Sequence, residues 1–341
     1  MENVNTALTP LVTQTLGEVA NQYANKRVFE NYHRRMATET LRRHHADLAL
    51  FTSYLQEVAG LHVDSEQLYE NPASWNFVSY GLLEGFIEWM LKKGYAMGSI
   101  NVRLSTVKKY CSLSFKAGEL STEENARIRL VVGFREKEKK HVDERREIKR
   151  IGTKKEHTVL INDEQCERLK HQPNTPQGSR DALLVCLLLD HGLRCSEIAD
   201  LKRSNIDLEK GMLTFYRKKV DITQRNWLSE DAIDAAKRYF NFCNPQEHLL
   251  LGSRSNGNMV GRMSIRAITE RMRYLCAKIG IQGASAHDGR HSWATAAAEA
   301  GTDIKTLQEA GGWNGLQMPA QYIAAREVAN EKLKLNRKKS L

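Results

Sequence analysis

Proline, cysteine and long apolar runs are all scarce in this chain of 341 residues. With only 6 prolines and 41% hydrophobic residues, its composition is typical of an ordered, mostly helical globular protein. The 6 cysteines form no CxxC pair and have no regular spacing, which predicts reduced thiols and excludes a disulfide framework or a zinc site. No apolar stretch approaches a membrane span, and the first residues are not a charged region followed by an apolar run. We therefore expect a soluble, cytoplasmic protein with no membrane partner.

The length and the charge of the chain predict two domains and a polyanionic partner. A chain of 341 residues exceeds the usual size of one domain. The formal net charge of +10 favours nucleic acid, because each phosphate that Lys or Arg neutralises releases condensed counterions. Many basic proteins bind nothing acidic, so the charge alone leaves the question to the motifs.

The first half of the chain predicts a compact helical bundle over residues 26–134. Apolar residues recur there at helical spacing, and Gly118 is a typical helix stop. Residues 1–25 carry little pattern and predict a flexible or weakly helical lead. The helical segments run from Leu41 to Leu55, near Val78 to Lys92, and from Ile100 to Phe115.

Residues 135–157 are densely charged and separate this bundle from the second half. Lysines and arginines alternate with acids and few apolar residues are present, so the segment cannot supply a core of its own. It predicts an exposed linker between the domains. A solvated helix face, a plain spacer and a strap along DNA phosphates remain open as its form.

Residues 158–341 predict a second domain of helices around a β-hairpin. Asn162 is a candidate N-cap, and a strongly apolar helix follows from Arg180 to Leu189. The fold class is therefore mainly α with a small β-hairpin or sheet (α+β), in two domains. The hairpin strands are Met212–Arg217 and Arg225–Leu228, and further helices are expected at Ala232–Phe242, Ile265–Ile279, His291–Ala300 and Ile304–Ala310.

Two arginines, Arg194 and Arg290, stand beside glycines at predicted helix starts. A phosphodiester is anionic and repels a nucleophile, so its cleavage requires positive charge on the non-bridging oxygens. A planar guanidinium can hold two phosphate oxygens at once. Either arginine taken singly is more often a surface ion pair, and only the pair in context favours a phosphate site.

Two histidines flank the second arginine. His287 precedes Arg290 by three residues, which places both on one side of a helical turn. A core or capping role is the usual alternative for a single histidine. His287 and His291 also have the spacing of a metal pair, yet no third ligand is evident and the HExxH motif is absent, so we expect no metal.

A late tyrosine, Tyr322, lies nine residues after Trp313. A phenol with an ordinary pKa of about 10 is a poor nucleophile at neutral pH, so it needs nearby positive charge and a base. Most late tyrosines are packing or surface residues. The position of this one, after two arginines and a histidine, favours a nucleophile.

Three segments in this order resemble the sequence boxes of the tyrosine recombinase (phage integrase) family. Arg180–Leu201 resembles the first-arginine box, and His287–His291 resembles the His-x-x-Arg-His box. Gly311–Trp313 with Tyr322 resembles the Leu-Gly-His box and the nucleophile. The resemblance covers nearly the whole chain beyond the first 25 residues.

The resemblance implies a site-specific DNA recombinase that works by successive transesterifications without a metal or other cofactor. Arg194 and Arg290 would clamp the scissile phosphate, His287 would be a general acid or base, and Tyr322 would form a 3′-phosphotyrosyl bond. Two alternatives remain open: a type IB topoisomerase-like or telomere-resolving activity, and a catalytically idle DNA-binding regulator with the same fold.

The resemblance also assigns supporting residues. Glu197 matches the acidic position of the first box and would orient its neighbours, with His291 also in support. Trp313 stands where the family most often has histidine, as in Cre-like recombinases, and an indole donates one hydrogen bond but relays no proton. The family's catalytic lysine lies in the hairpin, which favours Lys219 as acid toward the 5′-oxygen, with Lys218 as the alternate.

Finally, the resemblance implies how the domains act. Residues 26–134 would be a SAM-like core-binding domain and residues 158–341 a catalytic domain, together clamping double-stranded DNA at specific sites. The tail beyond Tyr322 would exchange between protomers of a homotetramer on two sites. We expect a prokaryotic, DNA-associated protein. Candidate DNA-binding residues are Arg42, Arg43, Arg103, Lys108, Arg262 and Arg266.

Overall fold

The computed structural model describes residues 10–148, 158–254 and 257–324. It divides into two compact units, Met1–Thr153 and Lys154–Leu341, and each has its own hydrophobic core. The second half of the predicted linker and the predicted exchange tail lie outside the described residues. No helix in the described ranges is long and apolar enough to cross a membrane.

Within residues 10–148 the first unit is built from helices alone. Helix α6 lies at its centre and packs against α3, α5 and α7. The helices are α1 (Pro10–Lys26), α2 (Val28–His33), α3 (Thr38–Ala59), α4 (Ser65–Glu70), a 3₁₀ turn (Pro72–Trp75), α5 (Tyr80–Lys92), α6 (Met97–Ala117), α7 (Thr122–Leu130) and α8 (Glu136–Arg145).

Aromatic rings fill the core of the first unit. Phe51, Trp75 and Phe86 are fully buried, with Phe51 stacked on Trp75 and edge-on to Phe86. Full burial of such a side chain stabilises the fold by about 1.5–3 kcal/mol. The indole of Trp75 donates to the carbonyl of Leu68 at 2.8 Å, so its polar atom is satisfied inside the core.

The helices predicted for this unit are confirmed with small shifts at their ends. Gly118 ends α6 as its C-cap with a φ of 90°, a backbone conformation that glycine adopts without strain. Of the lead predicted to be flexible or weakly helical, residues 10–26 form helix α1. Pro10 occupies its first turn, where proline is tolerated, and α1 packs on α2 and α6, contacts that local pattern does not reveal. Helix α8 is a charged helix inside the segment predicted as linker.

The second unit surrounds two small antiparallel sheets with helices, as the predicted fold class requires. One sheet has the order β1-β2-β3 and the other pairs β4 with β5. The helices are α9 (Asp163–Lys170), α10 (Pro176–Leu189), α11 (Cys195–Asp200), a 3₁₀ turn (Arg203–Asn205), α12 (Glu230–Phe242), α13 (Ile265–Lys278), α14 (Ala286–Glu299), α15 (Ile304–Gly311) and α16 (Gln317–Ala324). The strands are β1 (Ile206–Asp207), β2 (Met212–Arg217), β3 (Ile222–Trp227), β4 (Leu251–Ser253) and β5 (Met259–Arg262).

Helix α10 is the buried axis of this unit. Every residue from Gly178 to Leu189 is buried, and the helix packs against α9, α12 and α14. One carboxylate lies inside this core: Asp181 pairs with Arg180 at 2.6 Å and with Arg271 at 2.5 Å. Two cations and several hydrogen bonds satisfy it, which a buried charge requires.

Three sequence predictions for this unit need correction. The second hairpin strand is Ile222–Trp227 and begins three residues earlier than predicted, because it pairs with the full length of β2. Helix α14 begins at Ala286 and not at His291, because Ser285 and Asp288 form a capping box there. The short β4–β5 pair was not predicted; its strands have only three and four residues.

Candidate active site

Helix α14 places His287, Arg290 and His291 together at its N-terminal end. The end is fixed by Asp288, whose carboxylate accepts from the backbone N–H groups of Ser285 at 2.7 Å and Val159 at 3.0 Å. Arg290 is only 3% exposed and donates to the carbonyl oxygen of Gly192. The buried arginine and the two imidazoles are therefore held by the helix itself.

Arg194 precedes α11 and reaches the same place from another direction. Its Nη1 donates to Glu197 Oε1 at 2.8 Å, and its backbone N–H donates to the other oxygen of that carboxylate at 2.8 Å. Its Nη2 donates to the carbonyl of Gly312 at 3.0 Å. The carboxylate of Glu197, for which the resemblance implied an orienting role, thus holds Arg194 at two points, its guanidinium and its backbone N–H.

A third arginine, Arg217, joins this cluster and was missed by the sequence reasoning. It ends β2 with its side chain fully buried, and its Nη1 lies 3.3 Å from Glu197 Oε1. It donates to the carbonyls of Gly311 at 2.6 Å and Ala310 at 2.8 Å. Strand alternation was the available signal, since Leu213, Phe215 and Arg217 all face inward.

Three guanidiniums therefore lie close to one carboxylate: Arg194 and Arg217 contact Glu197 directly, and Arg290 shares the Gly311 carbonyl with Arg217. Burial and, to a smaller extent, the charge of Arg194 together lower the pKa of Arg290 to about 9. Burial likewise lowers the pKa of Arg217 to about 10, against the opposing effect of Glu197. The cluster holds more positive than negative charge away from water, a setting that a bound anion would relieve.

Trp313 follows the C-cap of α15, Gly312, and lies between Arg290 and Tyr322. Its ring lies 4.5 Å from the guanidinium carbon of Arg290 and 5.8 Å from the ring of Tyr322, between centroids. It also stacks on Trp293 at 6.1 Å. Gly311 lies directly against the indole of Trp313, and a Cβ at this position would clash with that ring.

Tyr322 lies on α16 with its hydroxyl 2.7 Å from Nδ1 of His291. Burial raises the pKa of Tyr322, and the charge of Arg290 partly opposes this. The phenol is therefore protonated at neutral pH and already holds a hydrogen bond to an imidazole nitrogen. This contact places His291, predicted only as a supporting residue, in direct contact with Tyr322.

His287 keeps part of its ring at the surface beside the arginines. Partial burial lowers its pKa below the usual 6.5, and the charges of Arg290 and Arg194 act in the same direction. Its ring is edge-on to that of His291, with centroids 4.5 Å apart. Neutral imidazole is thus the favoured form of His287 at pH 7.

The two hairpin lysines differ in their contacts. Both are exposed in the turn between β2 and β3. Lys218 pairs with Asp200 at 2.8 Å, whereas no hydrogen bond or ion pair of Lys219 is found in the described part of the chain. Neither lysine contacts the arginine cluster among the described residues. The free ammonium of Lys219 favours it over Lys218 as the group that reaches a substrate.

The candidate DNA-binding residues divide into exposed and engaged side chains. Arg42 and Arg266 are 80% and 87% exposed, each with one acidic neighbour on its own helix. Lys108 is instead engaged by the carbonyls of Arg129 and Val131, and partial burial lowers its pKa. The remaining three lie near carboxylates at 3.7–4.0 Å: Arg43 and Arg103 near Asp47, and Arg262 near Asp200.

An arginine cluster with a tyrosine hydroxyl at its edge supplies the positive charge and the hydroxyl that cleavage of a phosphodiester would require. A family model described as the phage integrase family matches residues 138–328, more than half of the chain. The chain therefore belongs to the phage integrase family, the tyrosine-type site-specific recombinases.

Two curated relatives illustrate the similarity. The chain is 28% identical to the tyrosine recombinase XerC of Chlorobaculum parvum (strain DSM 263 / NCIMB 8327) over 303 residues, which cover 85% of this chain and 85% of the relative. It is 28% identical to the tyrosine recombinase XerD of Neisseria meningitidis serogroup B (strain ATCC BAA-335 / MC58) over 177 residues, covering 50% of this chain and 60% of the relative.

Solved structures share the fold. The Tn1549 transposon integrase in complex with transposon right end DNA matches with a TM-score of 0.58 at 15% identity, covering 82% of this chain and 95% of that one. A lambda integrase dimer bound to a COC′ core site matches with a TM-score of 0.55 at 12% identity, covering 90% and 94%.

Proposed function

We propose that this recombinase cleaves and rejoins duplex DNA at specific sites through a covalent bond between Tyr322 and a 3′-phosphate. The observation that carries the proposal is the hydroxyl of Tyr322, held on His291 at 2.7 Å beside a cluster of three arginines. Arg194 and Arg290 would bind the non-bridging oxygens of the scissile phosphate. Their charge would stabilise the transition state as the phosphate gains a fifth oxygen.

The proposed step balances in atoms and charge. The oxygen of Tyr322 attacks phosphorus while its proton passes to Nδ1 of His291, and the bond from phosphorus to the 5′-oxygen breaks. Lys219 donates a proton to that leaving oxygen. His287, neutral at pH 7, serves as the acid or base for the phosphate oxygens beside Arg290. Religation is the reverse, with a 5′-hydroxyl from a second strand as nucleophile, so bond energy is conserved.

The positive net charge of +10 supports double-stranded DNA as the partner, and exposed arginines of both units, such as Arg42 and Arg266, would contribute contacts to its backbone. The structural relatives named above are bound to DNA in their own structures. We further propose a core-binding domain (26–134), a linker (135–157) and a catalytic domain (158–341). The active assembly would be a homotetramer on two sites, joined by exchange of the tail beyond Tyr322, in a prokaryotic cytoplasm.

The test is a covalent adduct on nicked suicide duplexes that carry the DNA flanking the gene. After cleavage the short 5′-hydroxyl strand diffuses away, so the protein stays attached and migrates slowly on a denaturing gel. We expect an adduct in the presence of EDTA with the parent protein and none with Tyr322→Phe. Tyr274→Phe is the matched control, since Tyr274 is an exposed phenol on α13. An adduct of equal yield in Tyr322→Phe would refute the proposal.

A further inference from the structure

Arg217 is a fully buried cation at the edge of the site. Its side chain is 0% exposed, so a DNA phosphate approaching from solvent would not touch it. Removing a guanidinium from water is costly and persists only where specific acceptors compensate it. The hydrogen-bond acceptors of Arg217 therefore indicate its structural role.

Two of these acceptors are the final carbonyls of α15. Arg217 donates to Gly311 O at 2.6 Å and to Ala310 O at 2.8 Å. Carbonyls in the last turn of a helix lack partners within the helix and carry the negative end of its dipole. A planar guanidinium can bridge two neighbouring carbonyls, which a lysine ammonium does less well. Arg217 thus caps the C-terminus of α15 from the hairpin.

Each acceptor region of Arg217 is shared with one of the two arginines proposed to hold the phosphate. Gly311 O also accepts from Nη2 of Arg290, and Glu197 Oε1 also accepts from Nη1 of Arg194. Arg217 therefore contacts the same acceptors as Arg290 and Arg194, on the side away from solvent. A shift of the carbonyl turn or of the carboxylate would move Arg290 and Arg194 in turn.

The contact with the turn is also sterically close. A Cβ at Gly312, whose φ is 59°, would lie 2.5 Å from Cδ of Arg217. The next residue is Trp313, which packs between Arg290 and Tyr322. The position of the Arg217 guanidinium and the backbone path from Gly312 toward Tyr322 therefore depend on each other.

We propose that Arg217 is a positioning residue that sets the C-terminal turn of α15 and the Glu197 carboxylate so that Arg194 and Arg290 present their remaining donors to a phosphate. This inference rests on the proposed function for its effect on cleavage. The ordering of the turn itself is independent of any DNA.

The first arm of the test is amide hydrogen exchange without DNA. The amides of Gly312 and Trp313 bond to Glu309 O and Gln308 O. In Arg217→Met these amides should exchange at least about 10-fold faster, while those of α10 keep their parent rates. Arg168→Met is the matched control, since Arg168 is exposed on α9. Parent-like exchange in the turn would overturn the inference. If Arg217→Met fails to fold, Arg217→Lys carries the same test, because an ammonium does not bridge the two carbonyls as a guanidinium does.

The second arm measures single-turnover cleavage at saturating protein. Arg217→Lys should lose roughly 100-fold in rate, the typical cost of a misplacement of about 1 Å, with DNA affinity within about 2-fold of the parent. The loss should be equal on a duplex with a bridging 5′-sulfur, because a thiolate leaves without an acid. Lys219→Ala, by contrast, should be restored by sulfur. A parent-like rate, or a loss that sulfur restores, would contradict the role of Arg217. If the parent forms no adduct, the proposed function fails, and the exchange arm still decides whether Arg217 orders the turn.

Discussion

Among the individual residues, the three arginines determine the charge of the site, which is positive. Arg290 is almost fully buried and its cationic form is disfavoured by burial and by Arg194. One carboxylate, Glu197, cannot neutralise three guanidiniums. A bound phosphodiester would supply the negative charge that balances the excess of guanidiniums, which is the physical reason that such a cluster favours a phosphate.

The role proposed for His287 predicts that DNA cleavage is sensitive to acid. Since its pKa lies below 6.5, His287 is neutral at pH 7 and gains a proton, and a third charge beside two arginines, only in more acidic solution. The rate of adduct formation should therefore be steady between pH 7 and 8 and fall as the pH drops below 6.5. Rates measured from pH 5 to 8 check this.

The matched variant for that profile is His287→Asn, which cannot titrate. It should be slower than the parent at pH 7 by roughly 100-fold, within the usual range for an acid–base group. Its rate should also fall less steeply below pH 6.5, because only one of the two imidazoles that the proposed step requires in neutral form, that of His291, remains. An unchanged acid limb in His287→Asn would assign that limb to another group and contradict the role given to His287.

The sequence predicted individual site residues where a local pattern existed. His287 and Arg290 are separated by three residues, and both lie in the first turns of α14, as that spacing predicts. Glu197, to which the resemblance gave an orienting role, accepts a hydrogen bond from Arg194. Arg217 is different, because its partners lie 93 and 94 residues further along the chain. Such contacts arise from tertiary packing. The local sequence around Arg217 indicates only that its side chain falls on the inward-facing side of strand β2.

At the scale of elements, α14 is anchored to the start of the second unit. The carboxylate of Asp288 accepts from Val159 N and Ser285 N, and the hydroxyl of Ser292 accepts from Ile161 N at 2.9 Å. The segment 159–161 therefore runs along the helix that carries the imidazoles and Arg290. The capping box that starts this helix also fixes the site.

Asp288→Asn tests this anchoring. The amide keeps one acceptor but turns an NH₂ group toward backbone donors, so we expect a loss of about 1–2 kcal/mol in the free energy of unfolding. Adduct formation should also slow, by roughly 10-fold or more. Gln165→Ala is the control, since Gln165 has the same capping-box position on α9, away from the site. Equal cleavage rates for the two variants would show that the anchor does not matter to the chemistry.

The sequence predicted long elements better than short ones. Helices α5, α6, α12, α13 and α15 repeat an apolar spacing over several turns or end at a recognisable stop, and each is present. Strands β4 and β5 are too short to show alternation. The start of α14 was missed because its first turn, Ala286–Gly289, buries Ala286, Asp288 and Gly289, which form no apolar stripe.

On the scale of the whole molecule, the chain folds as two units with separate cores. The charge of residues 135–157 predicts that the connection is accessible. Limited trypsin digestion should cut first within that segment and leave two resistant fragments, one from each unit. Mass spectrometry of the fragments gives the cut sites. Early cleavage inside α6 or α10 would contradict the proposed division into domains.

The central claim is that Tyr322 itself carries the DNA. The most direct measurement is to digest the metal-free covalent adduct with trypsin and nuclease and to sequence the nucleotide-bearing peptide by mass spectrometry. We expect the nucleotide on the peptide of residues 306–326, attached through its 3′-phosphate to the phenol of Tyr322. Tyr322 is the one tyrosine in that peptide. A nucleotide on any other residue would contradict the account, whatever the rate of cleavage.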